Sequence, residues 1–224
     1  MNVDDLKRLV ALGEGTHLEF KHRIPRPDRM AKEVIALANT RGGRVLVGVD
    51  DDGSIVGVKD SHEELFALER ALETHCEPPV ALNVEGVRVS RKREVLVINV
   101  PRSAAKPHFL IRDGRDGSEA NGKKAYVRVR AESVEASREA VKLMKAERNP
   151  RDTRFTFGEA EQKLMAYLER YERITVREYA RLAGIPPKRA SHTLVLMTRA
   201  EVLRLHSDPQ EDYFTVAYER TGER

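Results

Sequence analysis

The sequence predicts an α+β domain with a mixed or largely antiparallel sheet and flanking helices, followed by a smaller, mainly helical domain. Three observations carry that prediction. Up to about residue 150, short apolar runs of strand type alternate with helical stripes and hairpin turns. The stretch Lys145 to Arg154 is polar, contains Pro150 and offers little to a core, so it reads as a linker. Beyond it the apolar period is helical until two short strand runs close the chain. The expected boundaries are a first domain over 1–149, a linker over 150–157 and a second domain over 158–224.

In the first domain, Leu18 and Phe20 alternate with His17, Glu19 and Lys21, the pattern of a half-buried strand with one polar face. Asp28 after Pro27 is the expected N-cap of a helix whose stripe is Met30, Val34, Ile35 and Ala38 and which ends at Gly42-Gly43. Val45 to Val49 is apolar on both faces and reads as a central strand. The turn Asp51-Asp52-Gly53 leads it into Ile55 to Val58 as a hairpin. A helix over Glu63 to Thr74 follows, then strands near Val80 to Val89, Glu94 to Val100 and Lys124 to Val129. A helix at about Val134 to Lys145 is expected to close the domain.

In the second domain, Leu164, Met165, Leu168 and Tyr171 share one helical face. Thr175-Val-Arg-Glu178 has the spacing of a capping box and opens a helix that stops at Gly184. Pro186-Pro187 starts a third helix, with Ala190, Leu194 and Met197 on one face. Strands at Val202 to Leu205 and Tyr213 to Val216 flank a polar turn. Three helices followed by a hairpin is the order of a winged helix-turn-helix.

The composition excludes several classes. The chain has 224 residues, 40% of them hydrophobic and 34% charged, which suits a folded protein. No run approaches the roughly 18 apolar residues of a membrane span, and Met1 to Leu12 lacks the apolar core of a signal peptide. With Cys76 as the single cysteine, neither a disulfide nor a cysteine-built zinc site is expected, and the setting expected is cytoplasmic. The net charge of +4 conceals local bias: +5 over residues 101–150, +4 over 151–200 and −4 over 51–100. Basic regions of this kind suit a nucleic-acid partner, and they also occur on ordinary soluble surfaces.

The candidate chemistry lies in Gly13 to Lys21 and in Val47 to Gly53. Gly15 allows a turn between Glu14 and Glu19, so their carboxylates can converge with Asp50 and Asp51 at one end of the sheet. Such oxygens suit Mg²⁺ or Mn²⁺, which activates water for phosphodiester hydrolysis, and Lys21 on the face of Glu19 would stabilise phosphoryl charge. The plainer alternative is that Asp50 to Asp52 are turn residues and that Glu19 and Lys21 form an exposed strand face.

At these positions the sequence resembles the Schlafen-type AlbA domain family. The resemblance lies in Glu14-Gly-Thr-His-Leu-Glu-Phe-Lys21, Ala36-Leu-Ala-Asn-Thr-Arg-Gly-Gly43 and Leu46-Val-Gly-Val-Asp-Asp51, with Gly57 after the hairpin and a weaker extension through Tyr126 to Arg130. It implies a nucleic-acid-acting domain, in mammalian relatives one that cleaves tRNA and rRNA with a metal held by two Glu and one Asp. Those roles fall on Glu14, Glu19 and Asp51, with Asp50 as the neighbouring candidate. The mammalian cores hold two lobes and a Cys/His zinc site, whereas this chain has one lobe, so a comparable groove would need a homodimer. Prokaryotic relatives with an attached helix-turn-helix imply instead a transcriptional regulator or a nucleotide binder.

An ATP site is not expected. Gly117 to Lys124 has the skeleton of a phosphate loop, but Lys124 stands where Ser or Thr would bind Mg²⁺, and a strand follows where a helix should. As a basic loop, its Lys123 and Lys124, with Arg128 and Arg130 on one strand face, are candidate contacts to a nucleic-acid backbone; a solvated hairpin is the alternative. In the second domain Lys188, Arg189, His192 and Arg199 lie outside the apolar stripe of the third helix and are candidate DNA or RNA contacts. The apolar run Leu194 to Met197 suggests that part of that helix is covered by the first domain or by a second subunit. The leading expectation is a metal-dependent endoribonuclease acting on structured RNA such as tRNA; the competing one is a non-catalytic DNA-binding transcriptional regulator.

Overall fold

A computed structural model of the chain describes residues 1–111, 122–148 and 157–217. They fall into two compact units, Met1–Glu135 and Ala136–Arg224. The expected linker at 150–157 lies outside the described residues except for Phe157.

The first unit begins with α1 (Val3–Val10), whose N-cap Asn2 accepts a hydrogen bond from the Asp5 N–H at 2.9 Å. Then come β1 (Leu18–Lys21), α2 (Pro27–Asn39), β2 (Gly42–Val47), α3 (Ser61–His75), β3 (Cys76–Glu77), β4 (Asn83–Ser90) and β5 (Arg93–Pro101). Short β6 (Phe109–Leu110), β7 (Tyr126–Val129) and β8 (Glu132–Glu135) complete it. The main sheet has the order β1-β2-β5-β4 and is mixed: β1 runs parallel to β2 through the α2 crossover, and the other pairs are antiparallel.

Strand alternation divides the core into two layers. Leu18 and Phe20 of β1 pack with Leu46, Val95 and Val97 beneath Leu6 of α1. Val45, Val47, Ile98 and Val100 point to the other face, where Met30, Val34 and Leu37 of α2 cover them. A second flank of α2, with Ala31 and Ile35, packs on Cys76, Leu110 and Tyr126. This helix is therefore buried on two sides and not along the single stripe its sequence suggests. Burial also raises the Cys76 thiol pKa to about 11.

Several local expectations are corrected. Helix α2 starts at Pro27 with Arg26 as the cap, and Asp28 lies inside its first turn without a capping bond. Ile55 to Val58 forms only isolated bridges, Val49 with Ile55 and Val58 with Glu94, because the chain folds over Gly48 and Gly57. A Cβ on Gly48 would lie 2.9 Å from the Gly57 Cα, so the glycine permits that close crossing.

The second unit holds α4 (Arg138–Arg148), α5 (Glu159–Tyr171), β9 (Arg173–Ile174), α6 (Val176–Ala183), α7 (Pro187–Arg199), β10 (Leu203–His206) and β11 (Tyr213–Val216). The capping box forms as its spacing requires: the Glu178 N–H donates to Thr175 Oγ1 at 3.3 Å, and the Thr175 N–H donates to Glu178 Oε2 at 2.8 Å. Gly184 ends α6 at φ +62°, a left-handed cap. The antiparallel sheet β10-β11-β9 packs its Leu203, Phe214 and Ile174 with Leu164, Leu168, Leu194 and Met197. Helix α4 packs on α7 inside this unit. Ser191 of α7 sits between Glu139 and Lys142 of α4, accepting from Lys142 Nζ at 2.9 Å and donating to Glu139. That contact explains why α7 is apolar beyond its core stripe: Val195 shares the flank of Ser191 and is buried.

Candidate nucleic-acid interface

The first-unit candidates are arranged around Arg128. Its position on β7 predicts an exposed strand face, yet the guanidinium is only 1% exposed. One amino group (Nη2) donates to Glu19 Oε2 at 2.8 Å and to the Gly15 carbonyl at 2.9 Å. The other (Nη1) donates to Glu33 Oε2 at 2.8 Å and to Ser133 Oγ at 3.2 Å. Arg128 thus ties β7 to the start of β1 and to α2, with both amino groups engaged and the side chain buried away from a solvent-borne phosphate. Its Nε is buried without a partner among the described residues. Lys21 donates to the second oxygen of Glu19 and, at 2.9 Å, to the Phe20 carbonyl.

Two cations therefore occupy Glu19, and the side of β1 expected to be polar and solvated is buried at Glu19, as the Leu18 and Phe20 side is. The pleat explains this placement. Glu19 pairs in register with Val45, so both point beneath α2, where a carboxylate persists only with charge-assisted partners.

The other carboxylates go elsewhere. Glu14 is exposed, and its Oε1 accepts from the Phe20 N–H at 2.8 Å, closing the free edge of β1. Asp50 pairs with His22. Asp51 is exposed in the turn that ends at Gly53, where φ is +84° and the Gly53 N–H donates to the Asp50 carbonyl at 2.8 Å. Next to it, hydrogen bonds from Ser54 hold the exposed Asp52 carboxyl below its usual pKa. Among the described residues no three or more of His, Cys, Asp and Glu are gathered so as to hold a metal ion. A divalent ion of the kind the family resemblance implies needs free carboxylate oxygens. The donor set around Glu19, with Lys21 and Arg128 on its two oxygens, does not fit one.

The remaining basic candidates of this unit are spread out. Lys123 pairs with Glu77 and Lys124 with Glu135, both at 2.7 Å on the surface. Arg130 is exposed in the β7–β8 turn at φ +54°, so it does not share a strand face with Arg128. The phosphate-loop skeleton lies outside the described residues from Gly117 to Asn121, and the strand β7 follows it.

The motif Ala38-Asn-Thr-Arg-Gly-Gly43 proves to be a structural clasp. Buried Asn39 donates to the carbonyls of His108 and Tyr126, both at 2.9 Å, and accepts from the His108 N–H at 2.8 Å. Thr40 Oγ1 accepts from the Arg128 N–H at 2.8 Å. A Cβ on Gly43 would meet the His17 carbonyl at 2.6 Å. Asn39 stands in the sequence motif without a role assigned to it, and Glu33 carries no local signal beyond being a polar residue on α2.

In the second unit, α6 and α7 are joined by the short connection Gly184 to Pro186. Lys188, Arg189 and His192 are exposed at the N-terminal end of α7. Lys188, His192 and half-buried Arg199 fall along one helical stripe beside the flank that α4 covers. Behind them, Tyr179 is fully buried, and burial pushes its phenol up to about 12.

The profile of the Schlafen, AlbA_2 family matches residues 14–137. The chain belongs to that family. The matched region spans β1 to the end of the first unit and contains the Arg128 cluster and the Asn39 clasp. Among solved structures the family member is similar to the DIP2311 protein from Corynebacterium diphtheriae, at 22% identity and a TM-score of 0.43 over 62% of this chain and 29% of that one. It is also similar to the N-terminal domain of a DNA helicase RecG-related protein from Nitrosomonas europaea, at 26% identity and a TM-score of 0.39 over 56% of this chain and 86% of that one. No curated protein matches. No helix among the described residues is long and apolar enough to cross a membrane.

Proposed function

We propose that this Schlafen, AlbA_2 family member is a non-catalytic nucleic-acid-binding protein that uses its second unit as a winged helix-turn-helix to contact duplex DNA, as a transcriptional regulator does. The observation that supports this reading is the exposed Lys188, Arg189 and His192 in the first half of α7, which follows α6 after a short connection and precedes the β10–β11 hairpin. Side chains at that end of the second helix are the ones that reach base edges and phosphates when such a helix enters the major groove. Family membership supports a nucleic-acid role for the first unit as well. A homodimer belongs to the same reading, because a two-fold pair would present two copies of α7 to a palindromic site.

The endoribonuclease alternative has less support. It requires Glu19 to act as a metal ligand while Lys21 and Arg128 occupy its oxygens. Genome-derived duplex selection with the purified full chain, followed by footprinting, tests the proposal. The expected result is a defined footprint that Lys188→Ala with Arg189→Ala abolishes. RNA cleavage that depends on Mg²⁺ and disappears with Glu14→Ala and Glu19→Ala would overturn it in favour of the nuclease.

A further inference from the structure

We propose that an open groove of the first unit, at the starts of β1 and β2, binds a nucleoside phosphate through Arg41 and Arg44. The groove encloses about 840 Å³, within the roughly 300–1,000 Å³ of small-ligand sites. It lies on the sheet face beneath the C-terminal end of α1; Gly15 lines it while giving its carbonyl to Arg128, and neither Glu19 nor Lys21 lines it.

Its walls are apolar: Leu9, Leu12, Leu82 and Pro101 line it. Leu12 is 77% exposed, a large apolar side chain left in solvent at the rim. The polar side chains that line it are few: Glu14, His17, Arg41, Arg44, Asn83 and Asn99. Arg44 Nε donates to Asn99 Oδ1 at 2.9 Å, which orients the guanidinium while using one of its five N–H donors. Arg41 is exposed and makes no hydrogen bond or ion pair among the described residues. The one carboxylate lining the groove is Glu14, with one oxygen already taken by the Phe20 N–H; outside the lining, Glu85 accepts from Asn99 at 3.4 Å and also attracts Arg44. His17, also in the lining, hydrogen-bonds the Gly42 carbonyl through Nδ1 at 3.0 Å.

The ligand class follows from this combination. Guanidinium groups such as those of Arg41 and Arg44 match the oxygens of phosphate, an apolar wall accepts the face of a heterocycle, and the exposed Asn83 amide carries a donor and an acceptor for a base edge. A nucleotide has all three parts. It is supplied either by free mononucleotide or by an unpaired position in a single strand. The second source rests on the nucleic-acid reading above; the first does not.

The test measures binding of AMP by calorimetry and of a short fluorescein-labelled oligothymidylate by anisotropy, using the full chain. Arg41→Gln and Arg44→Gln are each expected to weaken binding about tenfold, the scale of one charge-assisted contact. Arg91→Gln, an exposed arginine in the β4–β5 turn, should stay within twofold. AMP binding with this dependence assigns the site to free nucleotide; oligothymidylate binding alone with the same dependence assigns it to single strands. Absence of binding to both probes, or an equal loss in Arg91→Gln, overturns the proposal. A duplex footprint that ignores the α7 variants would overturn the winged-helix reading and leave this measurement intact.

Discussion

Two arginine-bearing regions of the molecule use the same side chain in opposite ways. On β7 Arg128 is 1% exposed and holds Glu19, Glu33, Ser133 and the Gly15 carbonyl. On α7 Arg189 is exposed, with Lys188 and His192 beside it. A buried guanidinium is stable only when its donors are matched, so matching consumes the capacity that ligand binding would need. The exposed cations on α7 add little to stability, and their charge remains available to a partner. Basic residues are thus informative about function only once their burial is known.

The largest test of the contrast is Arg128→Ala. It should destabilise the chain by about 3–5 kcal/mol in urea unfolding, because two carboxylates lose their buried partner. A loss under about 1 kcal/mol would mean that the cluster is solvated and that Arg128 belongs with the surface cations. Asn39→Ala should follow at about 2–4 kcal/mol, since it leaves two buried carbonyls and one N–H without their partner. The α7 pair should behave in the opposite sense. Lys188→Ala with Arg189→Ala should leave the unfolding midpoint unchanged and lower duplex DNA affinity at least tenfold. The slope of log affinity against log salt should then fall by about 2 if both side chains contact phosphate.

The smallest effect expected is at Asp212. Burial raises its pKa, so its ionised form is disfavoured in the fold. A carboxyl with a raised folded pKa contributes most to stability below its unfolded pKa, and that contribution is lost as pH rises through the folded one. Asp212→Asn should therefore flatten the fall in melting temperature as pH rises above the ordinary carboxylate range. A variant whose melting curve still tracks that of the parent would assign the dependence to another group.

Legibility followed sequence distance. The capping box at Thr175 and Glu178, the stop at Gly184, the helix start at Pro187 and the alternation of Leu18 with Phe20 were readable because their causes lie within a few residues. The parallel pairing of β1 with β2 and the two-sided burial of α2 were not, since period alone does not say how many faces a neighbour covers. Ile55 to Val58 has strand composition but loses its ladder to the crossing of Gly48 over Gly57. In the candidate site, Glu14, Glu19, Lys21 and Arg128 were all singled out, but a shared role in chemistry was inferred where the structure shows packing and pairing. The groove around Arg41 and Arg44 was missed. Its only local trace is a pair of arginines flanking two glycines, and its walls come from α1, β2, β4 and β5.

By itself the sequence determined the order of elements, their caps and turns, the change from a sheet-rich to a helix-rich half, and the residues that carry the family resemblance. All of these depend on steric preference, hydrogen bonding or apolar period over short spans. Only the tertiary structure decided which charges are spent. Glu19 and Arg128 are 109 residues apart, and nothing local distinguishes an arginine that will meet two buried carboxylates from one that will meet solvent. Packing sets that choice, because the low-dielectric space beneath α2 admits charge only in matched sets.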